Sequence, residues 1–128
     1  MAPLASRVWE YITDAGVAAA NLGAFETRLC LYGHTHLPVV YRADGNHVKV
    51  VPATASSPIT LDSRRSLINP GSVGQPRDGD PEASYLVLDT DAGTATFRRV
   101  RYDIGLTQRL MREVGLPRWL VERLAIGR

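Results

Sequence analysis

The sequence predicts an α/β (α+β) fold, with mostly antiparallel strands in its C-terminal part and two C-terminal helices. Three observations predict it. Arg28 to Tyr32 is a short, nearly continuous apolar run of strand length. Asp44-Gly45-Asn46 interrupts two β-rich runs in the manner of a hairpin. The last 25 or so residues carry apolar positions at helical spacing.

Taken in order, Trp9 to Ile12 reads as a short apolar helical turn, and Thr13 or Asp14 then caps a helix through the alanine-rich run ending near Phe25. Gly16 and Gly23 weaken that helix and place its end. Arg28 to Tyr32 is expected to be a strand buried on both faces, stopping at Gly33. Pro38 to Arg42 and His47 to Val51 form the two arms of the hairpin. Pro52 to Ser66 reads as loop, weak strand around Ile59 and Leu61, and loop again. Leu67 and Ile68 resume the core before Asn69-Pro70-Gly71-Ser72, which places Pro and Gly at the centre of a type II turn.

Gln75 to Glu82 is a surface loop by composition. Ala83 to Leu88 and Thr94 to Tyr102 pair through the turn at Asp89 to Gly93. Strand alternation puts Thr96, Arg98 and Val100 on one face and Phe97, Arg99 and Arg101 on the other, which argues against a nucleic-acid interface. The arginines read as edge-strand charges. Ile104 to Val114 and Pro117 to Ile126 are the closing helices, with Leu106, Leu110 and Val114 along one side of the first. Trp9 and Trp119 are expected as packing anchors and His47 as an exposed strand residue.

At 128 residues and 45% hydrophobic content, one compact domain is the ceiling. A net charge of +2 implies no strong attraction to nucleic acid or membrane. The single Cys30, inside an apolar run, reads as a small buried hydrophobe and fits a reducing compartment. No apolar stretch approaches the roughly 20 residues of a membrane-spanning helix, and a cytoplasmic protein is expected.

The chemistry concentrates in Gly33-His34-Thr35-His36, where a strand gives way to a loop. Histidines at i and i+2 face opposite sides of an extended strand, so they share one metal only if the backbone turns, which Gly33 would permit. Thr35 is a candidate for the bond that fixes an imidazole tautomer. The spacing alone suits either a metal site or a polar surface turn.

Gly33-His34-Thr35-His36 followed by Pro38, then Ile68 through Arg77, then Tyr85 before a strand ending in Asp89, resembles bacterial calcineurin-like metallophosphoesterases of the small phosphodiesterase branch. Trp9-Glu10-Tyr11 and Gly115-Leu116-Pro117 extend the resemblance over nearly the whole chain. It implies part of a β-sandwich flanked by helices and two divalent ions (Mn, Fe, Ni or Zn), with His34 a ligand of the second and His36 of the first. It implies hydrolysis of a phosphate ester, with a phosphodiester the expected substrate.

The Asp-x-His, Gly-Asp-x-x-Asp and Gly-Asn-His-Asp/Glu blocks that precede Gly-His-x-His in that family are absent. Residues 1–128 are therefore expected to be the C-terminal portion of one metallophosphoesterase domain. Metal binding should be weak or single-site, and no residue here is singled out as catalytic. Gly33, Thr35, Asn69, Gly71, Ser72 and Arg77 are expected to support the ligands or contact phosphate. Arg77 could instead pair with Asp78 or Asp80. A non-catalytic binding or regulatory module on the same scaffold is the alternative, and an oligomer is compatible with either.

Overall fold

The computed structural model describes residues 10–53 and 57–128. It is a sandwich of two sheets with one helix on its outer face. Helix α1 (Ala15–Leu22) leads into strand β1 (Leu29–Leu31), then β2 (Val39–Asp44), β3 (His47–Pro52), β4 (Ile59–Thr60) and β5 (Ser66–Asn69). Strands β6 (Ala83–Asp89) and β7 (Thr94–Val100) precede α2 (Ile104–Glu113) and α3 (Arg118–Glu122), whose last turn tightens to 3-10 geometry over Arg123–Ile126. One sheet runs β1-β5-β2-β3 and the other β4-β7-β6. Among the described residues only β1 and β5 pair in parallel; the other pairings are antiparallel.

Asp14 caps α1 as its composition predicts, its carboxylate accepting from the Gly16 and Val17 N–H groups at 2.8 and 3.0 Å. Residues 10–12 are not helical, and Trp9 lies outside the described residues. In the hairpin Asp44 pairs with His47, so Gly45, at φ +58°, takes the first loop position rather than Asp44.

Alternation along β2 and β5 builds two cores from one sheet. Tyr41 and Leu67 face α1 and pack with Ile12, Ala18 and Leu22. Their neighbours Val40 and Ile68 face the second sheet and pack with Leu61, Ala95 and Phe97. The middle strands are therefore covered on both sides.

The expectation of full burial fails for β1. It is the sheet edge, and Leu31 is 55% exposed. Leu31 lines an apolar groove of about 330 Å³ with Pro70, Val73, Tyr85, Leu86 and Leu88. The other wall belongs to β6, an edge strand of the second sheet, so one edge of each sheet flanks the groove.

Arg98 and Arg99 lie on β7, the central strand of its sheet, so they are not edge charges. Arg99 reaches back to the 78–82 loop, donating to the Glu82 carbonyl at 3.0 Å and pairing with Asp78 and Asp80. Arg101 pairs with the Glu82 carboxylate at 2.8 Å.

The closing helices also depart from expectation. Leu106, Leu110 and Val114 form the predicted stripe, yet α2 buries no residue and Val114 is 75% exposed. Trp119, 61% exposed, is no buried anchor; the Arg123 guanidinium lies over its ring at 5.6 Å. Val121 and Leu124 are the buried residues instead. The C-terminal turn docks on the 79–80 loop, where the Gly79 N–H donates to the Gly127 carbonyl at 3.0 Å. No helix among the described residues is long and apolar enough to cross a membrane.

Candidate metal centre

Past β1 the chain turns sharply, and the turn is made by the histidines themselves. His34 has φ +80° and His36 φ +62°, whereas Gly33 is not at positive φ. Left-handed backbone at a non-glycine residue costs on the order of 1–3 kcal/mol and collects at ligand sites. Thr35 between them is buried, so His34 and His36 lie toward the surface while Thr35 points inward.

The inward anchor is a buried pair. The Asn69 side-chain amide donates to the Thr35 hydroxyl at 2.7 Å, and the Asn69 carbonyl oxygen accepts from the Gly71 N–H at 3.0 Å. Asn69 is fully buried, so its expected contact with phosphate or His34 gives way to a bracing role between the two loops. Gly71 has the positive φ, +85°, that the Asn69-Pro70-Gly71-Ser72 turn requires.

His36 is oriented by a backbone carbonyl and not by Thr35. Its Nδ1 lies 2.8 Å from the Gln75 oxygen. A carbonyl only accepts, so Nδ1 carries the proton and the Nε2 lone pair is left free. Burial lowers the His36 pKa, the Gln75 bond opposes that, and the charges of Arg77, His34 and Arg123 lower it further. The neutral, ligating form is thereby favoured.

Gln75 is itself held. Its N–H donates to the Ser72 hydroxyl at 2.9 Å, and its side-chain oxygen accepts from Arg77 at 2.9 Å. Ser72 thus braces the loop that presents the Gln75 carbonyl to His36. Arg77 does not pair with Asp78 or Asp80, which are taken by Arg99. Its buried Nε has no partner among the described residues.

His34 makes no ring hydrogen bond among the described residues but stacks on Tyr11, with ring centroids 4.3 Å apart and planes 21° from parallel. Tyr11, the Gln75 carbonyl and Arg123 are the contributors that sequence reasoning missed. Tyr11 lay inside the Trp9-Glu10-Tyr11 match, but nothing in the sequence ties it to His34.

The donors fit a divalent ion as part of a shell. One imidazole offers a free Nε2, and a second lies close by on the same turn. No group of three or more His, Cys, Asp or Glu side chains capable of holding a metal occurs among the described residues. A tetrahedral shell would leave at least two positions to other donors.

The two-sheet sandwich carries its paired histidines where strand β1 opens into a loop. The family model of the calcineurin-like phosphoesterase superfamily domain matches residues 10–93, and the chain belongs to that superfamily. It is 38% identical, over 128 residues, to an uncharacterized protein of Methanocaldococcus jannaschii, covering 98% of this chain and 49% of that one. It superposes on the crystal structure of a metallophosphoesterase from Sphaerobacter thermophilus with a TM-score of 0.89 and 49% identity, covering 96% of this chain and 51% of that one. The chain thus spans about half the length of each. The superfamily generally uses divalent metals, and its substrates are phosphate esters.

Proposed function

We propose that this chain supplies the imidazole side of a dinuclear metal centre, held by His34 and His36, that hydrolyses a phosphodiester. The observation that carries this reading is His36: a left-handed residue whose Nδ1 is committed to the Gln75 carbonyl, leaving Nε2 as a free donor. Arg77 and Arg123, both close enough to act on the His36 imidazole, give the site the positive surroundings a phosphate ester needs.

The chemistry that two divalent ions (Mn, Fe, Ni or Zn) supply in such a centre is activation of a water nucleophile and neutralisation of charge on the phosphoryl oxygens. Of this chain's own residues, His34 and His36 would each offer one imidazole donor, and the surroundings of His36 favour its neutral form and orient it. Arg77, whose charge acts on His36, is the residue we assign to a phosphate oxygen. Carboxylate ligands are not part of the arrangement among the described residues, so the chain alone binds metal weakly and does not turn over.

The test is zinc and manganese titration by calorimetry, with hydrolysis of a chromogenic phosphodiester in parallel. Wild type is expected to bind weakly without turnover, and His36→Ala to lose binding. No metal uptake by wild type would overturn the metal reading. Turnover abolished by His34→Ala would overturn the proposed inactivity.

A further inference from the structure

The two histidines are oriented by different means. His36 is tied by a hydrogen bond to the Gln75 carbonyl. His34 has no such bond among the described residues; its ring lies against Tyr11 in a stacked geometry, at 4.3 Å and 21°. We propose that Tyr11 is a positioning residue for His34, holding by ring stacking an imidazole that no hydrogen bond among the described residues restrains. The proposal rests on the metal-ligand reading of His34.

The placement of each ring follows from its neighbours in sequence. Ile12, next to Tyr11, is buried in the core beneath α1, and Asp14 two residues later caps that helix. The backbone carrying Tyr11 is thus pinned while the side chain, 49% exposed, stands outside the core. On the other side Thr35 is buried and bonded to Asn69, so the backbone carrying His34 is pinned too, with its side chain exposed.

Two exposed rings on independently anchored backbones meet face to face. A tyrosine whose only task was core packing would lie inward, as Ile12 does. A ligand imidazole with free rotation would lose that freedom on each binding event; one already stacked has less to lose. Either face of the phenol ring suffices for this, and the hydroxyl is not required.

The test uses Tyr11→Phe, Tyr11→Leu and Tyr11→Ala in the full chain. The first readout needs no metal: the His34 ring protons, observed by NMR in the metal-free protein. An upfield ring-current shift is expected in wild type and Tyr11→Phe, and its loss in Tyr11→Leu and Tyr11→Ala. The second readout is zinc affinity. Losing an orienting partner of a ligand histidine costs about tenfold in metal affinity, so Tyr11→Leu and Tyr11→Ala should weaken binding by about that factor while Tyr11→Phe stays within about twofold.

Tyr11→Leu keeps apolar bulk, so a folded Tyr11→Leu protein decides the matter if Tyr11→Ala unfolds. Unshifted His34 protons in wild type, or equal zinc affinity in all four proteins, would overturn the proposal. So would a Tyr11→Phe protein as weak as Tyr11→Ala. A wild-type chain that binds no zinc would sink the metal reading, while the ring-proton shifts would still decide whether Tyr11 positions His34.

Discussion

Replacing Asn69 by alanine cuts both ends of the brace between the histidine loop and the following turn. Asn69 is fully buried, and its two bonds run to the Thr35 hydroxyl at 2.7 Å and from the Gly71 N–H at 3.0 Å. Each lost bond leaves a partner short, at about 1–2 kcal/mol apiece. The Thr35 hydroxyl keeps only the long 3.4 Å contact from the Leu37 N–H. The total is about 3 kcal/mol, large against the typical point mutation of about 1 kcal/mol.

With a urea slope of about 1.5 kcal/mol per molar, the unfolding midpoint followed by far-ultraviolet circular dichroism should fall by about 2 M. Thr35→Val removes one of the same bonds from its other end. The Asn69→Ala, Thr35→Val double variant should therefore fall short of additivity by about 1 kcal/mol. A midpoint shift below about 0.5 M, or strict additivity, would refute the bracing argument.

Gly71→Ala should be nearly as damaging. At φ +85° a new Cβ would lie 2.6 Å from Ser84 Oγ and 2.8 Å from Ser84 Cβ. Ser84 cannot easily yield, being buried with its hydroxyl donating to the Pro70 carbonyl at 2.7 Å. A loss of about 2–3 kcal/mol is expected, and an unchanged urea midpoint would contradict the close packing of this turn. Alkaline pH should destabilise the protein in a tyrosine-dependent way. Burial pushes the Tyr32 phenol well above its usual range, with the nearby Tyr41 phenol raising it further, and burial also raises Tyr41. The folded state keeps these protons where the unfolded chain sheds them. Stability is therefore untouched below the unfolded value of about pH 10 and falls above it by about 1.4 kcal/mol per pH unit per phenol. Tyr32→Phe should flatten that decline, and an equal slope in both proteins would refute the assignment.

Most of the architecture was legible because it is local. Asp14 as a cap, the turn past Asp44, the positive φ at Gly71 and the β6–β7 hairpin each follow from residues adjacent in sequence. What was not legible depended on which elements lie side by side. The apolar run at β1 reads as interior, yet its sheet position leaves Leu31 at an edge. The stripe on α2 is amphipathic but stays largely exposed, Leu106, Leu110 and Val114 included. In the candidate site a bend at Gly33 to His36 was expected through Gly33, but the histidines themselves take the left-handed backbone, and the partners of their rings were not readable. Gln75 acts through a carbonyl, which no side-chain pattern reveals, and Tyr11 sits 23 positions from His34.

Leu67 and Ile68 are consecutive residues of β5, one facing the helix and the other the second sheet, and Asn69 follows directly. A strand that gives successive side chains to two packing layers makes those layers melt together, since neither can loosen without pulling on the same backbone. The histidine turn, which follows β1, is tied to the end of that strand by the Asn69–Thr35 hydrogen bond. A ligand gripping the turn should therefore raise the unfolding temperature of helix and sandwich in a single step, reporting occupancy far from where it binds.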